Sequence, residues 1–353
     1  MKKRLFILLS LLLCLLLPAC GGEDSIYGEV VQATPSALVL QTDEGEKLAV
    51  LLEEDTHILG VDDIDGEIYK AAPHTGVRLS FYSAGRAGSV TAADGEQLKA
   101  YRADQLIRIE AYLIRDAAVL SDGTVLDAWK TGSFGTVYQS RDGLELLRED
   151  APNGPENYYV VNMESFDELS EAAKLNVAEF YEKQGKLYDL QAELERAWKA
   201  YRADPEDFSP FIVSQETYPA ASNSQVFYFM TKLTQTISGN TVEETGLCAA
   251  FDRESGVNIP LVELFVCPRE ELIKKLLDIA EKDGSGPADE ALKSEMEAAF
   301  QMEYLRFSRD GLWLDFPQGT LPSQKYAYLV SVAFNDECKA LLQPWAVPDN
   351  ITQ

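Results

Sequence analysis

Histidine is nearly absent from this chain of 353 residues, which contains His57 and His74 alone. Both lie in a β-rich region without a nucleophile motif, so a Ser-His-Asp triad or a histidine metal site is poorly supported. We predict that both are surface turn residues. The sequence also lacks a phosphate loop, a GxSxG elbow and an HExxH pair. We therefore assign no catalytic residue, no metal ligand and no cofactor.

Cysteine is sparse as well, at five residues. Cys14 and Cys20 lie at the N-terminus, which leaves Cys248, Cys267 and Cys338 for the rest of the chain. These three can form at most one internal disulfide. Cys248 and Cys267 lie on either side of an apparent hairpin-like connection and are the favoured pair, while three free thiols are the open alternative. The sequence contains no CxxC, so a thiol redox motif or a cysteine zinc site is not supported.

Basic residues are few in relation to acidic ones, with 31 Lys and Arg against 58 Asp and Glu and a formal net charge of −27. A surface of this charge repels nucleic acid and anionic lipid, whereas it attracts a cationic protein and accelerates the encounter. Solubility at a crowded surface is the alternative explanation. The charge thus disfavours a nucleic-acid-binding function and permits a cationic protein partner; it does not fix the oligomeric state.

Long apolar runs are also missing, apart from residues 5–17. This run follows three basic residues and is too short to span a bilayer, which needs about 20 residues, so it reads as the apolar core of a signal peptide. The next residues are Pro18, Ala19 and Cys20. A small residue followed by cysteine resembles the lipobox of bacterial lipoproteins, in which the thiol is acylated and the chain is cut just before the cysteine.

This resemblance implies a lipoprotein signal peptide over residues 1–19, lipid attachment with palmitate at Cys20 and a short linker over residues 20–25. It also implies a protein held at the cell membrane by lipid and facing the extracytoplasmic side. An ordinary secretory signal with an incidental cysteine is the alternative.

Residues 26–130 consist of short β-like runs separated by turn signals such as Thr34-Pro35-Ser36. The runs recur at the 8 to 12 residue spacing that is expected of a small barrel. We predict an N-terminal small antiparallel β-barrel. The Gly28-Glu29-Val30 opening and the hairpin that follows it resemble the OB-like modules found behind bacterial lipoprotein signals.

Residues 135–345 are predicted to form an α+β domain, in which helices pack on an antiparallel sheet. Strand patterns over residues 136–140, 144–148 and 157–163 precede a capping box at Ser165 and Glu168. Apolar residues then recur at helical spacing to about Ala203, which predicts one long helix that Gly185 can kink or split. We place the boundary between the two domains between Ala128 and Gly135.

Two segments are the most distinctive of the second domain. Residues 251–265 contain an Asp-x-x-Ser-Gly turn and a Leu-Phe strand end, and a helix opened by Pro268 follows them. Residues 307–316 form a hairpin before a Tyr-rich segment. They resemble domain of unknown function 3298, the extracellular family that includes the lysozyme-binding ectodomain of RsiV-type anti-sigma factors. Ser255 replaces the family's threonine, and the loops that would grip a partner differ, so lysozyme binding does not carry over. An anti-sigma function is disfavoured, because the chain has no cytoplasmic helix before a transmembrane segment.

Aromatic residues near the C-terminus offer a candidate binding site. Trp313, Tyr326 and Tyr328 lie in the predicted final sheet, and the two tyrosines share one face of a strand by period two. An open face of this kind would bind sugars or a protein by stacking, whereas core packing is the alternative. We expect a non-enzymatic extracellular binding module of the cell envelope, whose partner is a cationic protein or cell-wall glycan. The alternative function is an accessory protein or enzyme of peptidoglycan or glycan metabolism.

Overall fold

The computed structural model describes residues 25–132, 135–157, 164–238, 241–308 and 311–349. The predicted signal peptide, Cys20 and all but the last residue of the predicted linker lie outside these residues, as does most of the predicted strand over residues 157–163. The fold is mixed α+β, as predicted. Its contacts divide the chain into two compact units, and no helix in the described part is long and apolar enough to cross a membrane.

The first unit extends to Asp142, beyond the predicted boundary between Ala128 and Gly135. The first unit extends this far because β8 (Thr136–Ser140) pairs antiparallel with β7 (Val125–Lys130) over the whole length of β8. The turn over Leu120–Thr124 belongs to the second unit together with Gly143 and the residues after it.

Five strands of the first unit form a closed cycle of pairings. β1 pairs with β2, β2 with β3, β3 with β6, β6 with β5, and β5 again with β1. The bounds are Ser25–Thr34 for β1, Ala37–Gln41 for β2, Lys47–Leu51 for β3, His57–Leu59 for β4, Val77–Thr91 for β5 and Gln97–Val119 for β6. The pairs β3–β6 and β4–β6 are parallel, so the prediction of a purely antiparallel arrangement was wrong.

The connection between β4 and β5 contains the short helix α1 (Gly66–Ala71), whose first turn is capped by the Asp65 carboxylate. Alternating apolar residues of the strands, among them Val30, Leu79 and Ile107, form the buried core of this unit. His57 lies exposed on β4 and His74 is exposed after α1. The prediction that both histidines lie at the surface is confirmed, although His57 lies on a strand and not in a turn.

The second unit contains a sheet with helices on one face and helices and a smaller sheet on the other. Its sheet consists of β9 (Glu145–Glu149), β10 (Phe211–Ser222), β11 (Val226–Ser238), β12 (Thr241–Asp252) and β13 (Asn258–Ile259). Phe227, Phe229 and Phe251 point to one face and pack against Ala173 and Val177. These contacts form one of the two layers of apolar packing.

The opposite face of this sheet packs through Tyr228, Met230 and Ala250 on the second layer. That layer contains α4 (Arg269–Lys282), α5 (Glu290–Ala299), α6 (Asp336–Lys339) and the antiparallel strands β14 (Leu305–Ser308), β15 (Gly311–Phe316) and β16 (Tyr328–Val332). The predictions of a helix opened by Pro268 and of a hairpin over residues 307–316 are confirmed, although hairpin residues 309 and 310 lie outside the described residues.

The predicted long helix is two helices, α2 (Glu171–Gln184) and α3 (Leu190–Ala203). Ser165 precedes only a 3-10 turn and makes no side-chain capping bond, so the predicted capping box was wrong. The helix begins instead after Ser170, whose hydroxyl accepts a hydrogen bond from the Ala173 amide. Gly185 ends α2 at φ +62° and ψ −150°, a backbone conformation that essentially only glycine adopts, and this splits the helix.

Candidate functional site

The three aromatic residues predicted as a binding platform do not share one face. Trp313 lies on β15 opposite Ser331, and Tyr328 lies on β16 opposite Phe316. Because side chains alternate along a strand, Trp313 and Tyr328 point to opposite faces of the small sheet. Tyr326 precedes β16, so the argument from period two was wrong; it is exposed, with the Lys325 ammonium 4.9 Å from its ring centre.

The two faces of the small sheet explain where these aromatic residues go. Tyr328 packs against the apolar core that includes Phe316. Trp313 is half-buried, and its indole N–H donates a hydrogen bond of 3.0 Å to the Ser308 hydroxyl. Both residues therefore have structural contacts that account for their positions.

A cleft of about 740 Å³ lies along α3, within the second unit. Residues of α3 and of the turn between β6 and β7 line it, namely Ser121, Asp122, Glu195, Arg196, Trp198, Lys199, Arg202 and Ala203. Its volume is in the range of clefts that hold small ligands in proteins, about 300–1,000 Å³. The cleft combines an aromatic ring with charged side chains of both signs.

The sequence of α3 places these side chains on one side of the helix. Asp189 caps the first turn by accepting hydrogen bonds from the amides of Gln191 and Ala192. Leu194 and Ala197 are buried, so the side of α3 that carries them faces the interior of the second unit. Residues three or four apart lie on the same side of a helix, so the residues at 195, 198, 199 and 202 form a contiguous outer surface.

Hydrogen bonds connect the turn to the helix. The Trp198 indole N–H donates to Asp122 Oδ2 over 2.9 Å, and Arg202 Nη1 donates to the same oxygen over 3.3 Å. The Ser121 hydroxyl donates to Glu195 Oε2 over 3.0 Å, and the Ser121 amide donates to Glu195 Oε1. These hydrogen bonds hold the turn, which forms one wall of the cleft, to α3, which forms the other wall.

The Asp122 carboxylate is stabilised in its ionised form. Hydrogen bonds from the Trp198 indole, and then from the side chain and backbone of Thr124, lower the pKa of Asp122 to about 2. Hydrogen bonds to a carboxylate favour the charged form, which explains the direction. The acceptor is thus ionised at neutral pH, and its bond to Trp198 is charge-assisted.

A row of aromatic rings extends from the cleft towards the sheet. Trp198 stacks on Tyr201 with ring centres 5.5 Å apart and planes inclined by 27°. Tyr201 contacts Phe208 edge-on at 5.4 Å, and Phe208 stacks on Phe211 at 6.2 Å. The rings of this row pack one on another, and the contact with Tyr201 helps to hold the Trp198 ring in its orientation.

Trp198 and Tyr201 are among the apolar residues at helical spacing that predicted one long helix, and this pattern did not reveal the cleft. A usable signal was present, because Arg196, Lys199 and Arg202 recur every three residues in a strongly acidic chain. The contribution of Ser121 and Asp122, more than 70 residues earlier in the chain, has no signal in the pattern of α3.

The Asp-x-x-Ser-Gly turn that carried the family resemblance has a structural role. Asp252 Oδ1 accepts hydrogen bonds from the amide and the hydroxyl of Ser255, over 2.8 Å and 2.6 Å. Asn176 of α2 donates to the Ser255 carbonyl over 2.8 Å. At Gly256, with φ +68°, a Cβ atom would lie 2.4 Å from the Ala173 carbonyl oxygen, so only glycine fits against the helix.

The three cysteines of the described chain are free thiols, which matches the open alternative and not the favoured Cys248–Cys267 pair. Cys248 and Cys338 are buried, and burial raises the pKa of each thiol to about 12. Cys267 is half-buried beside the same apolar cluster. Within the described residues, no group of three or more His, Cys, Asp or Glu side chains is arranged to hold a metal ion.

Comparison with known proteins gives structural neighbours only. No protein-family model matches the chain, and no curated protein sequence matches it either. The solved structures that are similar include two of the following description. One is a DUF3298 family protein from Pseudomonas aeruginosa PAO1, with 13% identity, a TM-score of 0.26 and coverage of 43% of this chain and 71% of that chain.

The other is a DUF3298 family member from Bacteroides fragilis NCTC 9343, with 11% identity, a TM-score of 0.31 and coverage of 66% of this chain and 92% of that chain. The structural neighbours are thus members of domain of unknown function 3298, the family that the sequence motifs resemble.

Proposed function

We propose that this protein is a non-enzymatic binding module of the cell envelope, which holds a cell-wall component in the cleft along α3. The observation that carries the proposal is the lining of this cleft, where the half-buried Trp198 lies beside Asp122, Glu195, Lys199 and Arg202. An aromatic ring can stack on the apolar face of a sugar, and polar groups that hydrogen bonds hold in place can fix the orientation of such a ligand.

The proposed location rests on the N-terminal sequence. The apolar run over residues 5–17 and the Ala19-Cys20 pair support a signal peptide and a lipid at Cys20. The lipid would keep both units at the outer side of the cell membrane, next to the cell wall. The variant Cys20→Ala is expected to incorporate no radiolabelled palmitate, and unchanged detergent partitioning of this variant would contradict the anchor.

For the first unit we propose a small OB-like barrel. The closed cycle of pairings from β1 through β2, β3, β6 and β5 supports it, as does the position of α1 before β5. A partly closed five-stranded barrel of this kind commonly presents loops that bind oligosaccharides or oligonucleotides. The net charge of the chain, −27, favours the first of these two.

A test of the proposed function separates binding from catalysis. Full-length protein in detergent is incubated with cell-wall extract, retained material is identified, and the same preparation is assayed for glycan hydrolysis and deacetylation. We expect retention of a cell-wall component without turnover. Enzyme-like turnover that a single carboxylate substitution abolishes would overturn the proposal, and it would favour the alternative of an enzyme of glycan metabolism.

A further inference from the structure

The cations of the α3 cleft differ in what they contact. Arg196 pairs with Glu193, and Arg202 pairs with Asp122 at 3.3 Å. Lys199 lies between them in sequence, is exposed and lines the cleft. Within the described part of the chain, Lys199 has no ion-pair or hydrogen-bond partner, so its three N–H donors are available to a ligand.

The two carboxylates that line the cleft already accept hydrogen bonds from the protein itself. Both oxygens of Asp122 accept hydrogen bonds, Oδ2 from Trp198 and Oδ1 from the Thr124 amide. Both oxygens of Glu195 accept hydrogen bonds from Ser121. Of the three cations that line this cleft, Lys199 is the one without an ion-pair partner among the described residues, so its ammonium favours an anionic group on the ligand.

The adjacent Trp198 supplies a second contact of a different kind. Its ring stacks on Tyr201, and its N–H is held by Asp122, so the ring is fixed before a ligand binds. A fixed aromatic ring beside polar groups suits the apolar face of a sugar, and pre-organisation lowers the entropic cost of binding.

We propose that the α3 cleft binds a saccharide that carries an isolated anionic group, with the sugar against Trp198 and its carboxylate or phosphate at Lys199. This inference rests on the proposed function and narrows its ligand. The net charge of −27 repels polyanions at long range, whereas a single anion in contact with Lys199 is attracted over a distance shorter than the screening length, which is about 10 Å at 0.1 M salt.

The test uses the full-length protein in detergent and two matched pairs of probes. Methyl glucuronoside is compared with methyl glucoside for the carboxylate, and glucose 6-phosphate with glucose for the phosphate, by isothermal titration at low salt. In at least one pair we expect the anionic probe to bind about fivefold tighter, the size of a partly exposed charge-assisted hydrogen bond. The pair that shows the preference identifies the anion.

Two variants decide whether Lys199 is responsible. Lys199→Gln is expected to lose the preference for the anionic probe, and Lys183→Gln, an exposed lysine of α2 with 74% of its side chain accessible, is expected to keep it. A preference that persists in Lys199→Gln, or its absence from both pairs in the wild type, would overturn the inference. If the wild type shows no preference but still retains a cell-wall component from the extract, only the ligand class is refuted. If it retains no such component, the proposed function itself is refuted.

Discussion

Asn223 shows how single side chains hold the second unit together. Its Nδ2 donates to the carbonyls of Trp345 and Val347 over 2.9 Å and 2.8 Å, and its Oδ1 accepts from the amides of Gln225 and Val226 over 2.7 Å each. The side chain is buried and uses its whole hydrogen-bonding capacity. It ties the C-terminal segment to the turn between β10 and β11.

Replacement of Asn223 tests this contact. Asn223→Ala is expected to lower the free energy of unfolding by about 2–3 kcal/mol, because four backbone groups lose a partner in a buried site. Asn258→Ala is the control, since Asn258 makes a single side-chain bond, to the Ala250 carbonyl, and is exposed. Urea unfolding of both variants measures the difference, and equal effects would contradict this role of Asn223.

A second prediction for a single residue follows from the ionised state of Asp122. The pKa of Asp122 is lowered to about 2, so its contribution to stability is present above the ordinary pKa of aspartate, near 4, and is lost as the pH falls through about 2. We expect the stability difference between wild type and Asp122→Asn to shrink from pH 5 to pH 2. Asp104→Asn, at an exposed position, is the control. A difference that stays constant over this range would contradict the assignment.

At the scale of elements, the segment between α2 and α3 is fixed by polar contacts. Gln215 of β10 donates to the Gly185 carbonyl over 2.9 Å and accepts from the Leu187 amide over 2.8 Å. Tyr188 donates to the buried Glu149 carboxylate over 2.6 Å, and Lys186 pairs with the same group. These contacts set where α3 begins and hence where its cleft residues lie.

The conformation of Gly185 is expected to be indispensable for this segment. A Cβ at this position meets no neighbouring atom within 4 Å, so the cost of Gly185→Ala comes from the backbone conformation alone. We expect a loss of about 1–3 kcal/mol in the free energy of unfolding. Ala192→Gly in the first turn of α3 is the comparison, with a loss of at most about 1 kcal/mol. A wild-type urea midpoint for Gly185→Ala would show that the segment has another conformation.

The region of α2 and α3 shows which features could be predicted from the sequence and which could not. Helical spacing correctly identified helical residues on both sides of Gly185, and proline correctly marked the start of α4 at Pro268. The split at Gly185 was among the predicted alternatives, whereas the cap at Ser170 was missed, and the Ser170 hydroxyl also contacts the carbonyl of Glu254, which lies far away in the chain. Local patterns carry no information about such partners.

At the scale of the whole molecule, the sequence predicted the α+β class, because turn signals and periodicity are local properties. The candidate site was not predictable in the same way. The prediction that Tyr326 and Tyr328 share one face of a strand was wrong because Tyr326 lies before β16, and the cleft was missed because it joins the turn at Ser121 and Asp122 to the distant helix α3.

The central claim is that the α3 cleft binds a cell-wall component. Ala203 lines the cleft and is exposed, so Ala203→Trp fills it without removing a polar contact. Ala192→Trp adds the same side chain at an exposed position of α3 outside the lining. The decisive measurement is depletion of each full-length variant from solution by purified cell-wall sacculi. We expect wild type and Ala192→Trp to be depleted alike and Ala203→Trp to bind at least about tenfold more weakly, a loss of about 1.4 kcal/mol. Equal depletion of the two tryptophan variants would contradict the claim.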